Sequence, residues 1–284
     1  MTKTLAAILC MVAGAVAQEK PDTSDTDDAI RAWTAFYAER ARGIVATEET
    51  DPPKTLTLHP NALLHYSNPV RPLSQHGSVH LWTDRGLPRV IGTVWSHEDE
   101  EHPELRNLNY EFHSLSEAPL NATVENSSLV WAPRKSGLEW IELKGLPEPN
   151  KSRTLRLTQM RRIAAGWRAT GMKDEGDLRL LPQPLYRYPE NIEGPLDGAI
   201  FAFVLGTDPE LFVVLEALAK TPGTTAGWRI TPARLTGSPL TLMNDKEETL
   251  WSSPAWERYD RDQVYDFLWG MERRLPAIID SSSN

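Results

Sequence analysis

The sequence predicts a mainly β protein (α+β by content), built as two tandem related antiparallel β-meander units with flanking helices. Three observations predict it. Short apolar runs, many alternating with a two-residue period, are punctuated by Pro and Gly about every eight to twelve residues, the rhythm of antiparallel layers. Landmarks in the first half recur 120–122 residues later. Helical three-and-four spacing is confined to a few segments.

Composition narrows the function classes. The 284 residues are 40% hydrophobic and include ten Trp, enough to bury a large core and too apolar for disorder. Thirty basic against thirty-nine acidic side chains give a net charge of −9. A protein that grips phosphate backbones usually reads basic, so nucleic acid is not an expected partner.

Along the chain, Lys3 precedes the uncharged apolar run Leu5 to Ala17, which ends in Ala15-Val16-Ala17. This is the pattern of a secretory signal, too short to span a bilayer, with cleavage expected after Ala17. A lipid anchor on Cys10 is disfavoured by the bulky Leu9 before it. Cys10 is the only cysteine, so the mature chain has no disulfide or thiolate chemistry, which points to a bacterial periplasm or exterior. No transmembrane segment is expected in the mature chain.

A polar link leads to a helix over Ala29 to Ile44, with Ile30, Trp33, Tyr37, Ala41 and Ile44 on one stripe. From Leu58 the chain repeats itself. Tyr66 and Tyr188 each lie six places after a Pro, and Gly77, Trp82 and Pro88 match Gly198, Phe203 and Pro209. Leu115-Ser-Glu-Ala-Pro-Leu120 matches Leu235-Thr-Gly-Ser-Pro-Leu240, and Trp131 matches Trp251. Each copy contains a hairpin, Gly77 to Trp95 and Gly198 to Leu215, followed in the first by strands at Asn109–Leu115, Leu120–Val124, Leu129–Trp131 and Leu138–Leu143. A helix over Thr154 to Trp167 is read as closing the first copy, and a second over Gln263 to Leu275 as closing the other. The expected division is therefore 1–17 signal peptide, 18–54 linker and helix, 55–170 first unit with its helix, 171–279 second unit with a C-terminal helix, and 280–284 tail.

Three stretches also carry a resemblance: Arg153-Thr-Leu-Arg-Leu-Thr-Gln-Met-Arg-Arg162, Leu180-Leu-Pro-Gln-Pro-Leu-Tyr-Arg-Tyr188, and Asp197 through Glu210 (DGAIFAFVLGTDPE). With most of the chain from Leu58 to Trp251, they resemble a family of uncharacterised exported proteins of planctomycete bacteria. The resemblance implies a bacterial exported protein and brings no activity, cofactor or catalytic residue.

All seven histidines fall between residues 59 and 113. A turn about Thr207-Asp208 would set Phe203 opposite Phe212. Carried back by 121 residues, that register sets His80 opposite Thr93 and His76 opposite His97. Opposed side chains on one sheet face stand close enough for two imidazoles to share an ion, so His76 and His97 are the candidate metal ligands, with Glu98 or His102 as a third. The plain alternative is that surface strands have collected histidines. Glu98-Asp-Glu-Glu101 reads as a solvated loop without the spaced ligands of a calcium site, and Gly206 to Glu210 as turn chemistry. The basic stretch Lys151, Arg153, Arg156, Arg161, Arg162 and Arg168 suits either acids of the same protein or an anionic polymer or protein partner. Trp33, Trp95, Trp140, Trp228, Trp256 and Trp269 have no counterpart and remain free for sugar stacking. No nucleophile, phosphate-loop or dinucleotide signature is present. The expectation is an exported non-catalytic binding or structural module without a cofactor. The alternatives are a metal-assisted hydrolase using a divalent ion on the histidines of the first unit, and a polysaccharide-binding protein.

Overall fold

A computed structural model describes residues 23–68, 73–102, 105–125, 130–172, 176–222, 225–257 and 263–274. The expected signal segment, its cleavage point and the tail lie outside them. The N-terminal half runs α1 (Thr23–Arg42), β1 (Ile44–Glu48), β2 (Lys54–Thr55), β3 (Thr57–Leu58), β4 (Leu64–Asn68), β5 (Gln75–Asp84), β6 (Leu87–Glu98), β7 (Arg106–Ser114), β8 (Leu120–Val124), β9 (Val130–Trp131) and β10 (Ile141–Leu143). The C-terminal half runs α2 (Arg153–Ala165), β11 (Arg168–Thr170), β12 (Asp177–Leu180), β13 (Tyr186–Arg187), β14 (Asp197–Leu205), β15 (Asp208–Leu218), β16 (Gly227–Arg234), β17 (Leu240–Met243), β18 (Thr249–Ser253) and β19 (Tyr265–Arg274). The chain is mostly β, and its strand pairs are antiparallel.

Each half centres on a three-stranded meander, β5-β6-β7 or β14-β15-β16. In each, the strand after the helix pairs with the strand after the meander, β1 with β8 and β11 with β17. The final strands cross over: β10 pairs with β16 of the other half, and β19 pairs with β7. Backbone ladders therefore tie the two halves together at both edges.

Side-chain alternation then builds three cores. On β14 and β15, Phe201, Phe203, Leu211 and Val213 face outward under α2, while Ile200, Ala202, Phe212 and Val214 face inward. In the N-terminal half Trp82, Val90 and Val94 face outward under α1, while Val79, Leu81 and Ile91 face inward. Both faces of each meander are covered, so its strands read as near-continuous apolar runs. The two inward faces form the central core, where each buried aliphatic side chain is worth roughly 2 kcal/mol.

The hairpin turns sit one residue earlier than the sequence suggests. The first turns at Arg85 (φ 48°) and Gly86 (φ 86°), and the second opens on Gly206 (φ 63°), the left-handed positions that suit tight hairpins. A bulge follows each, after Trp82 and after Phe203. Phe203 consequently pairs with Leu211, not Phe212. Each hairpin tip grips the opposite half: the Tyr186 hydroxyl donates to the Gly86 carbonyl (2.8 Å), and Asn68 Nδ2 donates to Asp208 (2.8 Å).

Two expectations about helices are corrected. The segment expected as a C-terminal helix is strand β19, because Tyr265, Phe267 and Trp269 alternate and β7 offers an open edge. The helix at Thr154–Trp167 exists as α2, but its buried Met160 and Ala164 pack with Phe201 and Leu215, so it opens the C-terminal half instead of closing the first unit. Trp82, Phe203 and Trp131 are buried, while Trp251 is half-buried.

Candidate ligand cleft

The register does not bring His76 and His97 together. The earlier turn pairs His76 with Ser96, so His76 faces α1 while His97 faces the opposite side of the sheet. One residue of slip moves a side chain to the other face, and two ligands separated by a sheet cannot share an ion. His76 Nδ1 lies 2.7 Å from the Tyr37 hydroxyl, and burial beside Arg106 lowers its pKa to about 3. His80, hydrogen-bonded to Ser78 (2.8 Å), is lowered to about 4, and the fully buried His113 to about 3. His97 packs against Trp269 with ring centroids 4.8 Å apart. Among the described residues no three His, Cys, Asp or Glu side chains gather to hold a metal ion.

The acidic run is a loop organised by Asp99, which accepts from the backbone N–H groups of Glu101 and His102 and from Asn107. Much of the basic stretch is spent inside the protein. Arg156 reaches Asp197 (3.0 Å), Arg168 reaches Asp177 (2.8 Å), and Arg153 lies 3.7 Å from Glu190. No helix among the described residues is long and apolar enough to cross a membrane.

A different place has the chemistry of a site. At one seam between the halves a cleft of about 290 Å³ opens over the inward face of β15 and β16. Its centre is a cross-strand row: Gly198 on β14, Glu216 on β15, Arg229 on β16. Gly198 has no side chain because the Tyr188 ring lies across it; an added Cβ would stand 2.4 Å from that ring. The Tyr188 hydroxyl donates to Glu216 Oε1 (2.9 Å). Arg229 grips Glu216 Oε2 through Nη2 (2.7 Å) and Nε (2.9 Å), and its guanidinium stacks 3.8 Å from the ring centroid of Trp140. Burial raises the Glu216 pKa, and Arg229 opposes that shift.

The N-terminal half supplies the other wall. Arg89 on β6 lies 3.1 Å from Glu48 on β1, which also accepts from the Ser116 hydroxyl (2.6 Å). Leu87, Pro88, Leu115, Leu138 and Val214 add apolar surface. Two buried carboxylates, each carrying an arginine, thus face a space bounded by both halves.

The corresponding row of the other half is Gly77, Trp95, Asn109. Here too a tyrosine lies over the glycine: an added Cβ on Gly77 would stand 2.9 Å from the Tyr66 hydroxyl. Trp95 occupies the place of Glu216, and Phe267 packs on it at 5.7 Å. This row thus holds a tryptophan and an asparagine where the cleft has an ion pair. A second groove of about 480 Å³ is lined by Arg234, Trp256 and Tyr265.

Sequence reading found Trp140 as an unmatched ring but passed over Glu216 and Arg229. The available signal was a glutamate inside the apolar run Leu211-Phe-Val-Val-Leu-Glu-Ala-Leu218, where the position 121 residues earlier is Trp95. No protein-family model matches the chain, no curated protein is significantly similar to it in sequence, and no solved structure matches its fold.

Proposed function

We propose that this chain is an exported, non-catalytic binding module derived from a duplicated unit, and that the seam cleft around Glu216 and Arg229 is its ligand site. The contrast between the rows Gly198-Glu216-Arg229 and Gly77-Trp95-Asn109 carries this reading. An ion pair buried in a core adds little stability over well-packed apolar side chains, so keeping it where the other half has rings favours a binding role. Both buried carboxylates are held by arginines, an arrangement better suited to gripping a ligand than to transferring a proton. The cleft volume is at the lower end of small-molecule sites.

Export is supported by Lys3, the apolar run and Ala15-Val16-Ala17, and by the resemblance to planctomycete exported proteins. Duplication is supported by the 120–122-residue spacing and by the shared order of strand pairing. The metal-assisted hydrolase loses its ligand pair to the register and is not retained.

A thermal-shift screen of small molecules tests the site. The expected result is a set of stabilising compounds whose effect disappears in Leu138→Trp, which narrows the cleft without touching its ion pairs. Stabilisation that persists in that variant places the ligand elsewhere and overturns the reading. Export is tested by the mature N-terminus: Gln18 is expected, and an intact Met1 on the native protein overturns it.

A further inference from the structure

The arrangement of charge in the cleft narrows the chemistry of its ligand. Glu48 and Glu216 are 5% and 4% exposed, and each already has an arginine within 3.1 Å. The four groups sum to no net charge; of the two other acids that line the cleft, Glu193 is paired with Arg85 (2.7 Å) and Glu117 is exposed to solvent. An anionic ligand would compete with the two carboxylates for Arg89 and Arg229, and a cationic one would compete with the arginines for Glu48 and Glu216. The first exchange leaves a buried carboxylate without its partner, which costs several kcal/mol, and the second leaves a half-buried arginine without one.

A neutral ligand rich in hydroxyl groups meets no such conflict. A guanidinium has five N–H donors, of which the contacts to Glu216 use two on Arg229, and each carboxylate has about four lone-pair sites. A hydroxyl can accept from the first and donate to the second at once, so paired ions remain paired while bonding the ligand. The remaining walls suit the C–H faces of the same molecule: Pro88, Leu138 and Val214 are apolar, and the Trp140 ring lies against Arg229. Planar polar groups beside apolar surface are complementary to a sugar ring, whose equatorial hydroxyls project around its rim while its faces are C–H.

Resting on the reading of the cleft as the ligand site, we propose that it binds a neutral, polyhydroxylated ligand, a sugar unit held between the Glu48–Arg89 and Glu216–Arg229 pairs. Isothermal titration calorimetry on the full mature chain tests this with glucose, galactose, mannose, xylose and N-acetylglucosamine, alongside glucuronate, glucose 6-phosphate and spermidine. The expected result is saturable binding of at least one neutral sugar, with affinity unchanged between 50 mM and 500 mM NaCl, because no net charge is neutralised. Arg229→Lys keeps the charge beside Glu216 and loses the planar fork, so it should weaken that sugar about tenfold or more. Sugar binding unaffected by both Arg229→Lys and Leu138→Trp overturns the site. Binding of the charged probes alone, lost in Leu138→Trp, overturns the sugar and leaves the cleft standing as a ligand site. Silence from every probe in calorimetry, together with no Leu138-sensitive compound in the thermal screen, overturns both.

Discussion

The two halves seat their opening helices by different chemistry on the same backbone plan. Under α1, Trp33 and Tyr37 pack against His76 with ring centroids 5.2 and 5.7 Å apart, and the Tyr37 hydroxyl meets Ser96 at 2.6 Å. Under α2, Asp197, which begins the second meander as His76 begins the first, accepts from Arg156 (3.0 Å) and Arg187 (2.6 Å). The seams differ in the opposite sense: the ion pair is at the row of Glu216 and the rings are at the row of Trp95. Strand order and register are held by backbone ladders and by the glycine under each tyrosine. Side chains between those fixed points are exchanged as groups that satisfy one another, ring for ring or ion for ion.

Asp197→Ala is expected to break this comparison most sharply. It leaves Arg156, 6% exposed, without its carboxylate and should cost about 3–5 kcal/mol in urea unfolding. Tyr37→Phe, at the equivalent clamp, removes hydroxyl hydrogen bonds while Arg106 keeps its contacts to Ser96 and Ser74, and should cost only about 1–2 kcal/mol. Equal losses would mean that the clamps are not separate solutions to one problem.

The paired glycines come next. A Cβ on Gly77 would lie 2.4 Å from Trp95 Cβ and 2.9 Å from its Cα, which is backbone, whereas on Gly198 it meets only the Tyr188 ring. Overpacking against backbone is harder to relieve, so Gly77→Ala should cost about 3 kcal/mol and Gly198→Ala about 1–2 kcal/mol. Comparative melts of the two variants check the order.

Glu111 sharpens the contrast through pH. It is buried on the inward face of the N-terminal half, accepts from Tyr265 (2.6 Å), and burial raises its pKa from 4.5 to about 8. Between those values the folded protein retains a proton that the unfolded chain has released, so stability falls as pH rises through that window. His76, His80 and His113 have lowered pKa values and act in the opposite sense, losing stability as pH falls below about 6.5. The histidines act alike in wild type and Glu111→Gln, so from pH 6.5 to 8 the wild type should lose on the order of 1–2 kcal/mol of stability relative to the variant. Chemical denaturation at three pH values in that range measures it.

The smallest effect concerns the histidines on opposite faces. Zn²⁺ titration of the His76→Ala/His97→Ala double variant should match the wild type, since no ion joins them; a lost site would contradict the register.

Sequence alone determined the local elements: both helices of the described chain, the two hairpins and most of the meander strands follow from apolar period and turn residues. The 120–122-residue spacing pointed to the similar order of strand pairing in the two halves, because matched turn and ring positions leave a pattern in the chain. Register was not legible. A bulge after Trp82 and a turn one residue early shift the pairing by one, and no local signal separates those alternatives, yet that single step decides which face His76 and His97 occupy. The fate of β19 was also tertiary, since its residues suit a helix or a strand until the open edge of β7 supplies hydrogen-bond partners. The cleft belongs to the same class. Glu48, Arg89, Glu216 and Arg229 come from four strands of two halves, and burial makes their pairing compulsory only after those strands have met.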